Sequence, residues 1–465
     1  MKAKPFFYFA SQRALGSRVH EYFHEFLRLE RARPQDFRQF QERRLESILE
    51  HAAVAVPFYR ERVAERRPAL RDFPILTKAD VRASFSDLMT EELRLEYTGA
   101  KRKAAYSWIA VKTGGSTGVP TTVIHDREYR DRGRAGRLYS RSLCGFPLGT
   151  PYFRLWGSMQ EINQARTSWK DRAQAYLADE IWLNAFRMEE RDILRHISTI
   201  NSTAPEHMMA YVDAAVELAR FAQDRHMNMK PLRGIMSCAG TLTPSARTAL
   251  QDAFQAQIHN QYGSRDCGGI ACECDQGGLH VYGNNLILEV VDDRGDPAPA
   301  DRSGRLLVTL LGNRLFPLIR YEIGDVGVMD NRDCECGRPF PLLARVEGRT
   351  IEFLRSTKGG YVSPVYIRHL IGVVHNPGVV RRFQLVQRSA TEFTLKLELE
   401  MGASPEGYLE TVKLLERDLK AVLGTDAQLH VLKVAEIRSS ASGKFLYTIN
   451  EYQVGNENSV HSHSA

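Results

Sequence analysis

The sequence lacks any apolar run long enough to cross a bilayer, although 43% of its 465 residues are hydrophobic. A membrane helix needs about 20 consecutive apolar residues, so we expect no membrane-spanning segment and no membrane partner. The first residues are basic and aromatic, but their short apolar run is broken by Gln12 and Arg13. We therefore interpret the start of the chain as a folded arm and not as a signal peptide.

An excess of charge of one sign is also missing. The chain has 63 basic and 56 acidic residues, a formal net charge of +7, and the basic residues are scattered. Nucleic-acid-binding proteins usually concentrate positive charge in a patch or stripe, so we expect no nucleic-acid partner. The modest positive bias suits an anionic nucleotide ligand.

Cysteines are scarce, with seven in the whole chain, which is an odd number. Five of them lie in two tight groups, Cys267/Cys272/Cys274 and Cys334/Cys336. Such spacing is typical of a metal clip more than of a disulfide framework. This cysteine usage predicts a cytoplasmic protein.

Cys274, His280, Cys334 and Cys336 together supply three sulfurs and one imidazole. This Cys3His set is of the kind that structural zinc prefers, and it requires the two segments to meet across the intervening strands. The zinc would be structural because protein fills all four coordination positions. Cys272 is an alternative to Cys274, and buried inert cysteines are the alternative to a metal site.

A chain of 465 residues exceeds one ordinary hydrophobic core, so we expect two or more domains. Residues 1–100 have a polar, helical pattern. From about 105 to 345, short apolar runs alternate with helical periods. Gly234–Cys238 predicts a buried strand, whereas 210–221 and 245–254 predict helices. The alternation predicts an α/β layered domain.

Past residue 350 the pattern changes to a compact α+β unit. Polar and apolar side chains alternate between Phe393 and Leu399, which predicts a strand with one buried face. Ser404 and Pro405 then supply the N-cap and first-turn proline of a helix, and Gly424 ends it. The predicted apolar stripe of this helix consists of Leu409, Val412, Leu415, Leu419 and Val422.

A segment rich in glycine, serine and threonine is the first candidate for binding an anion. It comprises Thr113, Gly114, Gly115, Ser116, Thr117 and Gly118. Glycines permit the close approach and unusual dihedrals with which backbone N–H groups surround a phosphate. The segment does not match the P-loop pattern, and a plain surface turn is the alternative.

Four further segments follow it in a fixed order. They are Ser237-Cys-Ala-Gly-Thr-Leu242, Tyr262-Gly-Ser-Arg-Asp266, Tyr321-Glu-Ile-Gly-Asp325 with Arg349 downstream, and Ser442-Gly-Lys444. A phosphate loop, an aromatic near a carboxylate, a second carboxylate and a late lysine are what ATP-dependent activation of a carboxylic acid requires. The combination predicts an enzyme.

Taken in this order and at these separations, the segments resemble the adenylate-forming superfamily of acyl- and aryl-CoA ligases. The sequences at 44–59 and 73–78 are similar to the phenylacetate-CoA ligase-like branch, which also includes adenylate-forming proteins found with capsular polysaccharide genes. Cys274 lies in a segment that resembles this branch, where some members bind zinc, so we prefer it to Cys272. Thr121 stands where many relatives carry lysine.

The resemblance implies an α/β fold with a large adenylation domain of several subdomains over residues 1–349. A small mobile α+β domain would cover 350–453, with the hinge near 348–353, and a disordered tail 454–465. In the large domain, Ala239 and Gly240 would line the adenine of ATP. The motif of Tyr262, Gly263 and Ser264 would place the tyrosine ring on that base.

The same resemblance implies which ligand group each charged residue would contact. Asp266 would hold the magnesium ion of Mg-ATP, in a position where glutamate is commoner. Asp325 would bond the ribose hydroxyls, and Arg349 follows it. The mobile Lys444 would contact the carboxylate and the α-phosphate during adenylation. After domain rotation, Lys358, Gly359 and Gly360 would face the thiol of coenzyme A.

The predicted function is therefore a carboxylate-CoA ligase that forms an acyl adenylate and releases AMP and pyrophosphate. Transfer to an amine, a sugar or a carrier protein is the first alternative. A zinc-containing nucleotide-binding protein without catalysis is the second. The sequence determines neither the identity of the acid nor whether the protein forms a homodimer. An aryl or medium-chain acid is weakly favoured by Phe153, Trp156 and Tyr211. Packing in the core explains these aromatic residues equally well.

Overall fold

The computed structural model describes residues 3–63, 65, 67–102, 107–112, 121–156, 179–185, 188, 190–299, 301–349, 354–358, 361–362, 367, 370–371, 375, 379–437 and 445–452. The chain forms two compact units. The first contains Met1–Thr113, Pro120–Ile323 and Val328–Arg345. The second contains Gly114–Val119, Gly324–Gly327 and Val346–Ala465. Among the described residues, no helix is both long and apolar enough to span a membrane.

Helices dominate the start of the first unit. They are α1 (Ala3–Ala14), α2 (Val19–Leu29), α3 (Pro34–Ala55), α4 (Pro57–Arg60), a 3-10 turn (Leu70–Asp72), α5 (Lys78–Ala83) and α6 (Glu91–Tyr97). In α2, buried Val19, Tyr22, Phe26 and Leu29 recur every three or four positions, so one face packs into the core. The predicted arm at the start of the chain is helix α1.

The rest of the first unit alternates strands and helices and continues into β13. Its elements are β1 (Trp108–Lys112), β2 (Thr122–Asp126), α7 (Arg127–Leu143), β3 (Tyr152–Trp156), β4 (Glu180–Asn184), α8 (Glu190–Ser202), β5 (His207–Tyr211), α9 (Val212–Asp224), β6 (Gly234–Cys238), α10 (Pro244–Phe254), β7 (Gln257–Ser264), β8 (Gly268–Glu273), β9 (Leu279–Val281), β10 (Leu286–Val291), β11 (Gly304–Leu310), β12 (Tyr321–Asp330) and β13 (Leu342–Arg349).

One large sheet contains strands β3 to β13, while β1 and β2 form a separate antiparallel pair. Within the described part of the chain its strand order is β10-β11-β12-β13-β9-β8-β7-β6-β5-β3-β4. Strands β4, β3, β5, β6 and β7 run parallel, and residues of α8, α9 and α10 pack with them into one apolar core. From β7 onward the pairs β7–β8, β8–β9 and β9–β13 are antiparallel. The carboxyl ends of the parallel strands therefore share one edge, next to the β7–β8 turn.

Local predictions in this domain met different outcomes. The strand Gly234–Cys238 is confirmed, and all five of its residues are buried. The helix predicted over 210–221 begins later, at Val212. Ala210 and Tyr211 instead end β5, because Ala210 pairs with Ser237 of β6. Here pairing between strands overrides the helical period of the sequence.

The described part of the second unit contains a four-stranded sheet, a two-stranded sheet and one long helix. Its described elements are β14 (Leu354–Arg355), β15 (Tyr361–Val362), β16 (Val380–Gln387), β17 (Glu392–Leu399), α11 (Pro405–Leu423), β18 (Gln428–Val434) and β19 (Thr448–Asn450), with sheet order β18-β17-β16-β19. The Ser404 side chain accepts from the Gly407 amide and caps α11. Leu415, Leu419 and Leu423 pack inward. The prediction of Leu409 in the apolar stripe is wrong, since Leu409 is 58% exposed.

Together the two units confirm the predicted fold class, a mixed α/β chain with a large N-terminal and a small C-terminal domain. The domain bounds predicted from the sequence, 1–349, 350–453 and 454–465, stay predictions.

Candidate functional site

Asp266 lies in the tight turn that joins β7 to β8. The Cys267 amide donates to Ser264 Oγ across the turn (3.0 Å). Gly263 is needed at its entrance, because an added Cβ would lie 2.5 Å from the Gly268 carbonyl oxygen. Gly268 has a φ of +62°, the left-handed region that glycine tolerates. The turn thus holds Asp266, which is only 4% exposed.

Three side chains from neighbouring elements hold this turn. Tyr321, the first residue of β12, donates its hydroxyl to Asp266 Oδ2 (2.6 Å). His125 of β2 donates its Nε2 proton to the Asp266 carbonyl oxygen (2.6 Å). Tyr129 of α7 donates its hydroxyl to the carbonyl oxygen of Cys267. Among the described residues, no donor reaches the other carboxylate oxygen, Oδ1.

Burial fixes the protonation of these donors. Desolvation, followed by the charge of Asp266, raises the pKa of Tyr321 far above its ordinary value, so the phenol stays protonated. Burial lowers the pKa of His125, with the hydrogen bond to Asp266 acting in the opposite direction. Because Nε2 makes the contact and a carbonyl oxygen only accepts, a neutral His125 must carry its proton on Nε2. The described donors that hold Asp266 and its turn are therefore neutral groups.

The carboxyl edge of the parallel strands carries further predicted residues. Ala239 follows β6 with a φ of +59°, a strained conformation for alanine of the kind that concentrates at functional sites. Gly240 follows it, and Tyr262 lies half-buried in β7. Ligands of open α/β sheets bind outside the carboxyl ends of the strands. This edge is therefore suited to a ligand.

The three aromatic residues suggested for an acid pocket separate in the structure. Phe153 is fully buried in the core of β3, β5 and the covering helices, so its assignment to a pocket is wrong. Trp156 and Tyr211 end β3 and β5, with ring centroids 4.4 Å apart. Among the described residues, Trp156 and Tyr211 thus bring two aromatic rings together at the carboxyl edge.

The remaining predicted residues belong to the second unit or lack a description. Asp325 is half-buried in β12, and Lys358 lies exposed in a turn after β14. Arg349 ends β13, without a described side chain. The predicted site residues outside the described part of the chain are Thr113, Gly114, Gly115, Ser116, Thr117, Gly118, Gly359, Gly360 and Lys444.

The partners of Asp266 were not among the predicted residues of the site. Tyr321 stands at the start of the segment that contains Asp325, so a signal was available. His125 and Tyr129 gave none, because their contacts join residues 141 and 138 positions apart.

The four predicted zinc ligands come together in the first unit. One nitrogen or sulfur atom from each of Cys274, His280, Cys334 and Cys336 lies within 4.8 Å of the others. Cys274 Sγ and Cys334 Sγ are 3.6 Å apart, and His280 Nε2 lies 3.1 Å from Cys336 Sγ. Two sulfurs on a tetrahedral zinc are about 3.8 Å apart. The donor set and its spacing fit a zinc ion.

Local structure brings these ligands close. Glycine at position 278 lets the ligands approach each other, because an added Cβ there would lie only 2.6 Å from Cys334 Sγ. His280 of β9 is oriented by the Phe340 carbonyl, 3.3 Å from its Nδ1, which turns Nε2 toward the sulfurs. Arg338, two residues after Cys336, donates from Nε to Glu30 Oε2 (3.1 Å). Such outer contacts orient the ligands of a metal.

Cys272, the alternative ligand, points elsewhere. Its Sγ lies 3.9 Å from Cys144 Sγ, in an apolar cluster with both residues buried. Burial raises the pKa of the Cys144 thiol well above its ordinary value, which makes a reactive thiolate unfavourable. The geometry therefore groups Cys274, not Cys272, with the other three ligands.

Comparison with known proteins gives one family model and several relatives. Residues 354–451 match the CapK C-terminal domain. Over 443 residues the chain is 24% identical to Protein CapK of Staphylococcus aureus, covering 92% of each chain. It is 22% identical to phenylacetate-coenzyme A ligase of Pseudomonas putida, covering 89% of this chain and 94% of that protein.

A solved structure shares the fold. This is 2-hydroxyisobutyryl-CoA ligase in the postadenylation state, with a TM-score of 0.65, 18% identity and 91% of each chain covered. The relatives and the fold confirm the resemblance of this chain to the adenylate-forming superfamily and to its phenylacetate-CoA ligase-like branch.

Proposed function

We propose that this chain activates a carboxylic acid with ATP. The carboxylate oxygen attacks the α-phosphorus, the bond to pyrophosphate breaks, and an acyl adenylate forms. The thiol of coenzyme A then displaces AMP and gives a thioester. The protein would thus be an AMP-forming acid–thiol ligase, as the names of its relatives suggest.

The observation that carries the proposal is the buried carboxylate of Asp266. One of its oxygens is fixed by the Tyr321 hydroxyl (2.6 Å), and both the carboxylate and its turn are held by neutral donors. Keeping a carboxylate in a 4% exposed position costs desolvation free energy unless a cation or hydrogen bonds compensate for it. A magnesium ion there would neutralise charge on the phosphates of ATP.

The other roles come from the resemblance. The phosphates of ATP would be bound by Thr113, Gly114, Gly115, Ser116, Thr117 and Gly118, and the adenine by Ala239, Gly240, Tyr262, Gly263 and Ser264. The ribose would be bound by Asp325 and Arg349. The thiol of coenzyme A would lie against Lys358, Gly359 and Gly360. Lys444 would offset the charge that develops as the carboxylate attacks phosphorus. The left-handed Ala239 at the carboxyl edge supports the adenine assignment.

We propose an aryl or medium-chain acid as the substrate. Support comes from Trp156 and Tyr211, whose rings meet at the carboxyl edge of the sheet. Aromatic walls of this kind are common in sites for apolar ligands.

We also propose a structural zinc ion bound by Cys274, His280, Cys334 and Cys336. Soft sulfur and imidazole donors favour zinc over magnesium. With four protein ligands, no coordination position is left for a substrate. The ion would join the β8–β9 turn to the loop between β12 and β13.

An acid-by-acid measurement of pyrophosphate exchange into ATP tests the adenylation step. For each active acid, consumption of free coenzyme A thiol is then followed. Exchange with thiol consumption supports the ligase. Exchange without it would point to an amine, sugar or carrier-protein acceptor, and no exchange with any acid would reject the activity.

Lys444→Ala is the decisive variant. We expect it to abolish exchange while ATP binding stays within about tenfold, because the lysine acts on the developing charge. Lys413→Ala removes an equal charge from an exposed position of α11 and should exchange like the wild type. Undiminished exchange in Lys444→Ala would remove this residue from the mechanism.

A further inference from the structure

We propose that His20 and His24 of helix α2 form a second metal site, in which their two Nε2 atoms bind one exchangeable divalent transition ion such as Ni²⁺, Cu²⁺ or Zn²⁺. The site shares no residue with the four proposed zinc ligands, and it is independent of the proposed adenylation. Both histidines lie in the first unit.

The two histidines are four residues apart on one helix. The sequence His20-Glu-Tyr-Phe-His24 matches the H-E-x-x-H pattern, in which two imidazoles on one helix face bind zinc. Helix α2 covers Val19–Leu29, and residues four apart are neighbours on a helix surface. A match over five residues also arises by chance, so the positions of the ring nitrogens decide whether an ion fits.

The ring nitrogens have the spacing of two ligands of one ion. His20 Nε2 and His24 Nε2 lie 3.1 Å apart. With a metal–nitrogen distance of about 2.0–2.1 Å, two nitrogens on one ion are about 3.3 Å apart in a tetrahedral site and about 2.9 Å apart in an octahedral one. The observed distance lies between these two values. An ion would therefore bind both rings with little movement of either.

The helix that carries the pair is held in place. Asp131 of α7 accepts from Ser17 Oγ (2.9 Å) and from the Arg18 amide (2.8 Å), directly before α2 begins. The face of α2 opposite to the histidines is buried in the core. The backbone that carries both imidazoles is therefore fixed before an ion binds.

Aromatic rings limit the orientation of the two imidazoles. Phe9 of α1 packs edge-on against the His20 ring, with ring centroids 4.9 Å apart. The Phe9 ring also stacks on Phe23 (6.0 Å), and Phe23 contacts His24 (5.9 Å). The two imidazoles thus stand beside a common aromatic pair, which reduces the side-chain entropy lost when an ion fixes them.

Water would fill the remaining coordination positions, because both histidines are exposed. Among the described residues, the four proposed zinc ligands are the one group of three or more His, Cys, Asp or Glu side chains whose ligand atoms lie within 4.8 Å of one another. No third described donor therefore joins this pair. Imidazole suits zinc, copper and nickel, and two imidazoles bind such an ion more weakly than three sulfurs and an imidazole do. The ion at this site would therefore exchange with solution.

The glutamate of the pattern is not arranged for peptide hydrolysis. In H-E-x-x-H proteases this residue is the general base. Here Glu21 Oε2 accepts from Arg18 Nε (2.8 Å), and Arg18 Nη2 lies 2.6 Å from the same oxygen. Both side chains are 60% exposed, whereas a general base needs a cleft that also holds the substrate. The geometry thus supports binding of an ion and no hydrolytic step.

Calorimetry with NiCl₂ tests the site in the full-length protein as purified. The end of the chain contains two further histidines, so the reference protein and all variants carry His461→Ala and His463→Ala. We expect one Ni²⁺ per chain in the reference protein. His20→Ala and His24→Ala should each weaken this binding at least about tenfold, because a single imidazole loses the chelate. His226→Asn is the matched control, since it removes an exposed imidazole elsewhere and asparagine tolerates the φ of +50° at that position.

Thermal unfolding links the binding to the folded helix. Ni²⁺ at about 100 times its Kd should raise the melting temperature of the reference protein by about 3 °C, because the chelate forms only on the helix. The melting temperatures of His20→Ala and His24→Ala should not respond to Ni²⁺. Without metal, both variants should melt within about 1 °C of the reference protein, since each removes an exposed side chain.

The opposite results are equally clear. Undiminished Ni²⁺ binding by His20→Ala or by His24→Ala would place the ion elsewhere and overturn the proposal. Release of zinc during the titration, measured with a zinc-sensitive dye, would place the Ni²⁺ at the four proposed zinc ligands and overturn it too. Absence of Ni²⁺ binding would leave the 3.1 Å contact as a hydrogen bond between two neutral rings. None of these measurements uses pyrophosphate exchange, so the site and the proposed function stand or fall separately.

Discussion

At the scale of residues, the hydrogen-bond donors around Asp266 decide which of its oxygen atoms is available to a cation. Its side chain accepts from Tyr321, and its carbonyl accepts from His125. Both donors are kept neutral by burial, so neither competes with a cation for the negative charge. The result is a buried carboxylate with one fixed oxygen and one oxygen that no described donor reaches.

Tyr321→Phe tests this arrangement. Removing the hydroxyl leaves Asp266 Oδ2 without its donor, which costs about 1.5–3 kcal/mol for a charged acceptor. We expect exchange to fall at least about tenfold and to require more magnesium for half-maximal rate, as measured by a magnesium titration of the exchange assay.

Tyr59→Phe is the matched control for that variant. Tyr59 is equally buried, but its hydroxyl donates to the Pro317 carbonyl (3.0 Å) and not to a carboxylate. It should lose thermal stability without a change in magnesium dependence. If the magnesium requirement of both variants stays at the wild-type value, the role assigned to Tyr321 is wrong.

At the scale of elements, two turns bring the four proposed zinc ligands together. The β8–β9 turn closes through the Cys274 amide, which donates to the Gly278 carbonyl (2.9 Å). The facing loop closes through the Gly337 amide, which donates to the Cys334 carbonyl (2.9 Å). Pairing of Leu342 in β13 with His280 in β9 holds the two together. Each turn alone presents only part of the donor set.

Gly278→Ala should disturb the cluster without removing a ligand. Its Cβ would lie 2.6 Å from Cys334 Sγ and 3.3 Å from His280 Nε2, so the ligands must move apart. We expect lower zinc content by elemental analysis and a lower melting temperature. Gly133→Ala in α7, whose Cβ meets nothing within 4 Å, should keep its zinc and be no less stable, since alanine favours helices. Full zinc occupancy in Gly278→Ala would contradict the proposed coordination.

At the scale of the whole molecule, one strand separates the two candidate centres. Asp266 precedes β8 and Cys274 follows it, while β8 itself covers Gly268–Glu273. At about 3.3 Å per residue, the two centres lie roughly 20 Å apart. A metal ion at the cluster is therefore too distant to touch a nucleotide bound near Asp266.

Removal of the metal should thus act on stability and not on substrate binding. A strong chelator under reducing conditions is expected to lower the melting temperature by about 5 °C or more. The KM for ATP of the protein that is still folded should stay unchanged. An ATP KM that rises in proportion to metal loss, at constant melting temperature, would contradict a structural role.

Several features could be predicted from the sequence because their causes are local. The strand Gly234–Cys238 is uniformly buried, and its residues are apolar or small. The cap and start of α11 follow from Ser404 and Pro405. The order of the motifs indicated the superfamily, and the sequences at 44–59 and 73–78 indicated the branch. The start of helix α9 was misplaced by two residues, since only the pairing of β5 with its neighbouring strand decides where β5 ends.

The sequence by itself determined the α/β class, the resemblance to adenylate-forming proteins and the types of residue available for nucleotide and zinc. These depend on period, composition and order, which are properties of neighbours along the chain. Only the tertiary structure decided that Tyr321 and His125 hold Asp266 and that Cys272 stands apart from the four proposed zinc ligands. Such contacts join residues as far as 141 positions apart, and they exist because packing of the sheet and helices brings distant segments together.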